Sequence, residues 1–216
     1  MPVKQFLNNP FQENTYIVWD EPTLEAAIID CGALTDNERN DIENFIENHR
    51  LVVRHIINTH LHLDHCFGVV WACMKYGLTL EASSADSSLL HSLRQQAELF
   101  GIPSSLIDPA TDTLKISPLC DGDTLPLGQS SLSVIATPGH TLGGLCFYDK
   151  QNAILFSGDT LFNGSVGRTD LEGGSYSALI NSIRQKLVIL PDNVTIYCGH
   201  GPYTTIADEK QYNPYL

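Results

Sequence analysis

Hydrophobic and polar residues follow two periods along this chain, and glycine and proline mark the boundaries between the segments. Nine short apolar runs are rich in β-branched or aromatic residues, which predicts strands. Several of these runs have a Gly or Pro at or near their ends, where the backbone can turn sharply. The predicted strands are residues 14–20, 26–30, 51–59, 78–83, 114–119, 131–138, 144–149, 152–160 and 194–200.

Other segments carry apolar residues at the spacing of a helix face. Thr35 or Asp36 can cap the first of these helices, and Gly77 can end the second as a C-cap. Residues 102–113 show neither a strand-like apolar run nor helical spacing, which predicts a surface loop. The predicted helices are residues 35–50, 65–77, 84–101 and 176–190.

Each half of the chain therefore contains several strands with flanking helices. This repetition predicts two similar layers packed sheet on sheet, in the α/β (α+β) class. A length of 216 residues favours one domain over residues 1–216. A chain of this size buries roughly 70–75% of its unfolded surface, so it needs no covalent staples.

Composition excludes several classes of partner. The net charge is −13 with only 12 Lys and Arg, which argues against a nucleic-acid partner because phosphate backbones are bound by basic residues. No apolar run approaches the roughly 18 residues of a membrane span, and the first residues do not resemble a signal peptide. The six cysteines form no CxxC pair, and free thiols are typical of a reducing cytosol. We therefore expect a cytoplasmic protein without a membrane partner.

The candidate chemistry lies at the end of one predicted strand. The stretch NTHLHLDHCFG, residues 58–68, contains three of the eight histidines. Residues at i and i+2 of an extended chain point to one side, so His60, His62 and Asp64 can converge, and a turn would add His65. Imidazoles with a carboxylate suit a divalent metal of intermediate softness. A single buried histidine is more often a hydrogen-bonded core residue, but four ligand-type residues in six positions favour a metal site.

Three later strand ends repeat this pattern. The runs SVIATPGH, ILFSGDT and TIYCGH lead to His140, Asp159 and His200. Ligands at the ends of adjacent strands gather at one rim of a sheet, where rigid strands hold them. The pattern predicts two neighbouring metals, one held by His60, His62 and His140, the other by Asp64, His65 and His200, with Asp159 as a bridge.

Five motifs occur in order along the chain: IIDCG, THLHLDH, TPGHT, SGDTLF and YCGHG. Together they resemble the ordered motifs of the metallo-β-lactamase superfamily, from about residue 14 to residue 200. The resemblance implies a four-layer αββα sandwich. It also implies that Asp30 orients the metal ligands without touching the metals. The alternative for Asp30 is a turn aspartate before Gly32.

Within that superfamily, SGDTLFNGSVGRTDL and YCGHGPYTT resemble the small glyoxalase II-like hydrolases. Glyoxalase II has a helical C-terminal domain that helps to hold glutathione, whereas little chain follows His200 here. Its loop lysine and tyrosine correspond to Arg168 and Asp170. Arg168 could bind a substrate carboxylate, or it could stiffen the loop by pairing with Asp170. Tyr203 is expected to line the pocket.

The resemblance implies a hydrolase that cleaves a small thioester, S-lactoylglutathione or a related acyl thioester, with a hydroxide that bridges two metals. Asp64 would orient this nucleophile and accept its proton. The expected cofactors are two divalent ions, Zn²⁺ first, with iron or manganese as alternatives because nitrogen and oxygen ligands accept all three.

Other functions of this fold are weighed against that one. The main alternative is a persulfide dioxygenase, in which a single iron is held by His60, His140 and Asp159. A nuclease is disfavoured by the acidic balance, and a secreted lactamase by the lack of a leader. A metal-binding module without chemistry is disfavoured by the intact ligand set. The sequence specifies neither the acyl group, the thiol carrier nor the oligomeric state.

Overall fold

Two six-stranded sheets face each other in the computed structural model, which describes residues 1–216. The strands are β1 Val3–Asn8, β2 Glu13–Trp19, β3 Glu25–Ile29, β4 Val52–Ile57, β5 Leu80–Ala82, β6 Ile116–Pro118, β7 Thr124–Leu127, β8 Ser130–Ala136, β9 Leu145–Asp149, β10 Ile154–Gly158, β11 Leu161–Phe162, β12 Ser165–Val166, β13 Thr195–Cys198 and β14 Thr204–Thr205. The first sheet has the order β1-β2-β3-β4-β5-β6, the second β14-β13-β10-β9-β8-β7, and β11 pairs with β12.

Six α-helices flank the sheets: α1 Asp36–Asn48, α2 Val69–Tyr76, α3 Ser87–His91, α4 Leu93–Leu99, α5 Tyr176–Ser182 and α6 Ile206–Tyr212. The two predicted caps are confirmed. Thr35 caps α1 in a capping box with Glu38, which satisfies backbone N–H groups that the first turn leaves unpaired. Gly77 ends α2 in the left-handed conformation, which costs glycine little. No helix is both long and apolar enough to cross a membrane.

Alternation of side chains along the strands divides the core into layers. Tyr16 and Val18 of β2 point between the sheets, where they join Phe147 and Phe156 from the second sheet. Ile17, the residue between them, points to the other face of β2. Both faces of each sheet are therefore apolar, and each sheet needs cover on its outer side.

The helices supply that cover. Ile42 of α1 and Leu90 of α3 pack on the outer face of the first sheet, in a cluster that also includes residues from α2 and α4. Leu179 of α5 and Ile206 of α6 pack on the outer face of the second sheet. The layers are thus helices, sheet, sheet and helices, which confirms the expected αββα sandwich.

Several predicted boundaries differ from the structure. The helix expected from residue 65 begins at Val69, because a 3-10 turn over Leu63–His65 precedes it. The helix expected over residues 84–101 is a 3-10 turn at Ser84–Asp86 followed by α3 and α4. The expected loop at 102–113 contains two 3-10 turns, the second capped by the side chain of Asp108. These turns are too short for a sequence period to reveal.

Strand direction places the polar loops at one rim of the sandwich. β3 and β4 are parallel, and so are β10 and β13. Asp30 directly follows β3, and Asp159 directly follows β10. We call residues 58–65, after β4, the first ligand loop, and residues 137–144, between β8 and β9, the second ligand loop.

Candidate metal centre

The first ligand loop brings its four ligand-type residues together through a tight turn. The chain is extended at His62 and then enters the 3-10 turn Leu63–His65, which rotates His65 back toward His60. The rings of His60 and His65 lie 4.1 Å apart between centroids. A turn was expected here, and it is made by the 3-10 segment rather than by the first turn of α2.

One set of nitrogens converges between the two sheets. Nε2 of His140 lies 2.9 Å from Nδ1 of His62 and 3.2 Å from Nε2 of His60. All three residues are buried, and their nitrogens lie within 4.8 Å of one another. Three nitrogens that point at one spot can hold one metal ion.

A second set lies beside the first. Oδ2 of Asp64 is 3.1 Å from Nε2 of His200 and 3.8 Å from Nε2 of His65. Their ligand atoms also lie within 4.8 Å of one another. This set of one carboxylate and two imidazoles can hold a second ion.

Asp159 lies between the two sets. Its Oδ1 is 3.5 Å from Nε2 of His65, a member of the second set. Its Oδ2 is 3.6 Å from Nε2 of His140 in the first set and 3.6 Å from Nε2 of His200 in the second. A carboxylate in this position can contact two cations at once.

The other nitrogen of most of these imidazoles faces an oxygen outside the cluster. Nδ1 of His140 lies 2.7 Å from the backbone carbonyl of Arg168, and Nδ1 of His200 lies 3.2 Å from that of Phe11. Nδ1 of His60 lies 3.1 Å from the hydroxyl of Thr59. An oxygen partner on one nitrogen directs the lone pair of the other nitrogen to the centre.

Asp30 holds the base of the cluster. Its Oδ1 accepts a hydrogen bond from the backbone N–H of Thr59 at 2.6 Å, and its Oδ2 accepts one from the Thr59 hydroxyl at 2.7 Å. Oδ2 also lies 3.1 Å from Nδ1 of His65. Asp30 thus contacts a ligand-type residue and the start of the first ligand loop, and its orienting role stays a prediction.

At His60, His62 and Asp159, electrostatics favour the protonation states that bind metals. Burial lowers the pKa of His60 well below its ordinary value, and burial followed by His140 lowers the pKa of His62 to about 4. Burial raises the pKa of Asp159, but the positive charge of His65 outweighs this and holds that pKa below its ordinary value. Neutral imidazoles and an ionised carboxylate are the forms that a divalent cation binds.

Two buried atoms test whether a metal fits. Nε2 of His65 and Oδ1 of Asp159 make no hydrogen bond, and an unpaired buried polar atom costs about 1–3 kcal/mol. Burial lowers the pKa of His65, yet the carboxylates of Asp64 and Asp159 raise it well above the ordinary value. These carboxylates therefore favour a positive charge among them. A divalent cation would supply that charge and pair both atoms, so the residues fit a metal.

A cavity of about 320 Å³ opens onto the cluster. Its walls combine ligand-type residues with aromatic and aliphatic side chains: Phe11, His62, Leu63, Asp64, Gln96, Phe100, His140, Asp159, Phe162, Arg168, Leu171 and His200. Tyr203 does not line this cavity, contrary to expectation, since its ring is 63% exposed and packs near Tyr197. The chain turns at Gly201, after β13, and Tyr203 lies beyond this turn.

Arg168 reaches the cavity and is paired. Its Nε and Nη2 donate to the two carboxylate oxygens of Asp170, each at 2.8 Å. Arg168 therefore lines the cavity and is paired within its own loop, and its contact with a substrate carboxylate stays a prediction. The pairing offsets much of the positive charge that a substrate would meet.

The sequence patterns missed the apolar wall and its support. Phe100, just after α4, packs edge-on against Phe11 from the β1–β2 loop, with centroids 5.7 Å apart. Gln96 of α4 accepts a hydrogen bond at 3.0 Å from the backbone N–H of Leu63, where the 3-10 turn begins. These residue types are ordinary in helices and loops, so only the packing of α4 against the first ligand loop reveals them.

Comparisons with known proteins agree with this geometry. The family model for the metallo-beta-lactamase superfamily matches residues 8–200. Hydroxyacylglutathione hydrolase GloC of Haemophilus influenzae is 37% identical over 207 residues, 95% of this chain and 93% of that protein. The crystal structure of BLEG-1 B3 metallo-beta-lactamase has a TM-score of 0.85 at 31% identity, over 100% of this chain and 99% of that one. The structure of TTHA1623 in a di-iron-bound form has a TM-score of 0.86 at 32% identity, over 99% and 100%. The chain therefore belongs to the metallo-β-lactamase superfamily.

Proposed function

We propose that residues 1–216 form one metal-dependent hydrolase domain that cleaves small thioesters. The observation that supports it most is the position of Asp159, whose two carboxylate oxygens face the two sets of ligand-type residues. The proposed ligands of two divalent ions, Zn²⁺ first, are His60, His62 and His140 for one ion, Asp64, His65 and His200 for the other, and Asp159 for both.

Two divalent ions held there would lower the pKa of a shared water and polarise a substrate carbonyl. The chain itself supplies orientation and a proton acceptor. Asp64 lines the cavity, and its Oδ2 lies 3.1 Å from His200, so its carboxylate can fix a nucleophile beside the second set and take up its proton. Asp30 keeps the first ligand loop in place through Thr59.

The lining of the cavity suits a thioester, whose leaving group makes the smallest demand on a proton donor. Apart from the proposed ligands, its polar side chains are only Gln96 and Arg168. Neither is a ready proton donor for an amine leaving group. A thiolate leaves without protonation, so a thioester needs no such donor. The likeness to hydroxyacylglutathione hydrolase GloC supports the same substrate class.

Substrate recognition would use the apolar wall and Arg168. Phe11 and Phe100 form an apolar wall beside the cluster, and Arg168 can meet a substrate carboxylate at the rim. Because Asp170 already binds Arg168, S-lactoylglutathione should be one acceptable thioester among several. Nucleic acids and membranes are not proposed as partners, and the cytoplasmic location stays a prediction from the sequence.

A substrate panel tests this function. The zinc-loaded protein is assayed with S-lactoylglutathione, a neutral acyl thioester of matched size, the corresponding oxygen ester and a chromogenic β-lactam. We expect turnover of both thioesters, under strict anaerobiosis as well as in air. Cleavage of the β-lactam without thioester turnover would contradict the proposal and assign the protein to amide hydrolysis.

A persulfide dioxygenase with a single iron is the second candidate. The atoms of His60, His140 and Asp159 favour it, because Nε2 of His140 lies 3.2 Å from that of His60 and 3.6 Å from Oδ2 of Asp159. Oxygen uptake with glutathione persulfide, together with one iron per chain and no anaerobic thioester turnover, would select this candidate. Anaerobic thioester turnover selects the hydrolase.

A further inference from the structure

Asp86 is a buried carboxylate that the ligand patterns do not include. It ends the 3-10 turn Ser84–Asp86, which follows β5 at the same rim as the candidate metal centre, and only 1% of its surface is exposed. It is not in the wall of the 320 Å³ cavity. A buried carboxylate is costly unless its oxygens are hydrogen-bonded, so its partners show what it is there to hold.

Both oxygens of Asp86 accept hydrogen bonds from the ligand loops. Oδ1 accepts from the backbone N–H of Gly143 at 2.6 Å, and Oδ2 accepts from the hydroxyl of Thr141 at 2.8 Å. Both donors belong to the second ligand loop. Oδ2 also accepts from the backbone N–H of Leu61, in the first ligand loop, at 3.3 Å. One side chain therefore joins a loop of the first sheet to a loop of the second.

The positions of these donors relate them to one set of ligands. Leu61 separates His60 from His62, and Thr141 directly follows His140. A shift of the second ligand loop would move the nitrogen of His140 relative to those of His60 and His62. The second set has no residue in the second ligand loop, so this shift would affect it less.

Gly143 shows how closely the second ligand loop approaches the carboxylate. A Cβ atom at this position would lie 2.6 Å from Cγ of Asp86, a distance that real Cβ atoms do not show. Glycine allows the backbone N–H to reach the carboxylate oxygen directly. The contact is therefore built from both sides, by a buried acceptor and by a residue without a side chain.

We propose that Asp86 is a positioning residue that sets the separation of the two ligand loops, and thereby the affinity and geometry of the cation held by His60, His62 and His140. It touches no ligand atom and acts through the backbone of both loops. The inference rests on the proposed function as a two-metal protein, and it adds a residue that distinguishes the two ions.

The test is Asp86→Asn, assayed by cobalt binding. Asparagine has one acceptor oxygen in place of two, so its NH₂ group must face a donor that the carboxylate accepted from. We expect one of two Co²⁺ ions to bind about ten- to a hundredfold more weakly in chelator competition, the range typical of residues that orient metal ligands. The visible spectrum of the Co²⁺ ion that binds more weakly should change, and the affinity of the protein for the other ion should stay the same.

Asp149→Asn is the matched control. Asp149 is also buried, with 1% of its surface exposed, and its carboxylate also accepts three hydrogen bonds, from Gln151 and Asn152 in the β9–β10 turn. Its partners do not belong to either ligand loop. We expect this variant to lose stability while it binds both Co²⁺ ions with the spectrum of the unmodified protein.

Thr141→Val provides a second variant if Asp86→Asn does not fold. It removes a single hydrogen bond to Asp86 and keeps the shape of the side chain. The affinity for the same Co²⁺ ion should fall, by a smaller factor.

The outcomes separate this inference from the proposed function. Unmodified protein that binds fewer than two ions would contradict the two-metal function itself. Two ions in the unmodified protein, with unchanged affinities and spectra in both Asp86→Asn and Thr141→Val, would overturn the positioning role. If both variants, Asp86→Asn and Asp149→Asn, bind both ions more weakly and by the same factor, the positioning role would be overturned as well. That result would show a general loss of stability.

Discussion

The two halves of the chain build similar sheets but contribute to the candidate metal centre in different ways. The first half supplies its four ligand-type residues from one short loop after β4, with the local 3-10 turn Leu63–His65 to gather them. The second half supplies His140, Asp159 and His200 from three loops that are distant in sequence. The first contribution is a local motif, and the second exists only when the second sheet is complete.

This difference shows where the precision of the site comes from. His60 and His65 lie in one six-residue stretch, and the 3-10 turn brings their rings to 4.1 Å between centroids. The approach of His140 to His62 within 2.9 Å requires the two sheets to pack at the correct distance. We infer that packing of the aromatic core between the sheets, with Phe147 and Phe156, is as important for metal binding as the ligands themselves.

The largest effect is expected for Asp159→Ala, which removes the one carboxylate that faces both sets. The affinities for both ions should fall together. Thioester turnover should fall by at least about a thousandfold, because water activation and carbonyl polarisation are both lost. Metal analysis after dialysis, together with turnover rates, measures this. Asp192→Ala, at an exposed aspartate paired with Lys210, is the control and should behave as the unmodified protein. Retention of one full-affinity ion in Asp159→Ala would contradict a bridging role.

Single-ligand variants should separate the two sets. His62→Ala removes a member of the first set, and His200→Ala removes a member of the second, so each variant should retain one tightly bound ion per chain. The rate should fall in both. Isothermal titration with Zn²⁺ and with Co²⁺ gives the stoichiometry. Loss of both ions in either variant would show that the two sets form one cooperative site.

A smaller effect is expected at the rim, where the second half supplies Arg168. Arg168→Ala should lower kcat/KM for anionic thioesters by about two- to fivefold and leave neutral thioesters unchanged, because an exposed charge already paired with Asp170 is worth little. Asp170→Asn frees this cation and should raise kcat/KM for anionic thioesters relative to neutral ones. Matched acidic and neutral thioesters measure this ratio of kcat/KM values. An equal loss on both substrates would assign Arg168 to loop structure alone.

The smallest effect concerns His55, whose side chain contacts both halves of the chain away from the candidate metal centre. Its Nδ1 lies 2.7 Å from Oε2 of Glu81 in the first sheet, and its Nε2 lies 2.9 Å from the carbonyl of Pro126 in the second. The hydrogen bond to Glu81 raises the pKa of His55 above 6.5. The folded state therefore gains stability below the unfolded pKa of about 6.5 and loses it as pH rises through the raised value.

This pair is partly solvated, so its pH-dependent stabilisation should stay below about 1 kcal/mol. Denaturant unfolding at pH 6 and pH 9 measures it, with His55→Gln as the variant that cannot titrate. The difference in unfolding free energy between the two proteins should shrink at pH 9. A difference that is the same at both pH values would show that the charge of His55 does not contribute to stability.

Sequence patterns predicted the sandwich because its signal is local and repeated. Tyr16 and Ile17 belong to different core layers, and a strand that is buried on both faces is visible in the sequence as a short apolar run. The edge strand β1, the short strand β7 and helix α6 were missed, since each is short or largely polar. Their places depend on neighbours in the tertiary structure.

The sequence by itself determined which residue types lie at the strand ends, because each follows an apolar run that is visible locally. Only the tertiary structure decided their distances: the 3.5 and 3.6 Å approaches of Asp159 to both sets, the pairing of Arg168 with Asp170, and the exposure of Tyr203. It also decided that Asp86 joins the two ligand loops. These contacts connect residues that are far apart along the chain, and a distance between such residues is fixed by how two sheets pack, which no local pattern specifies.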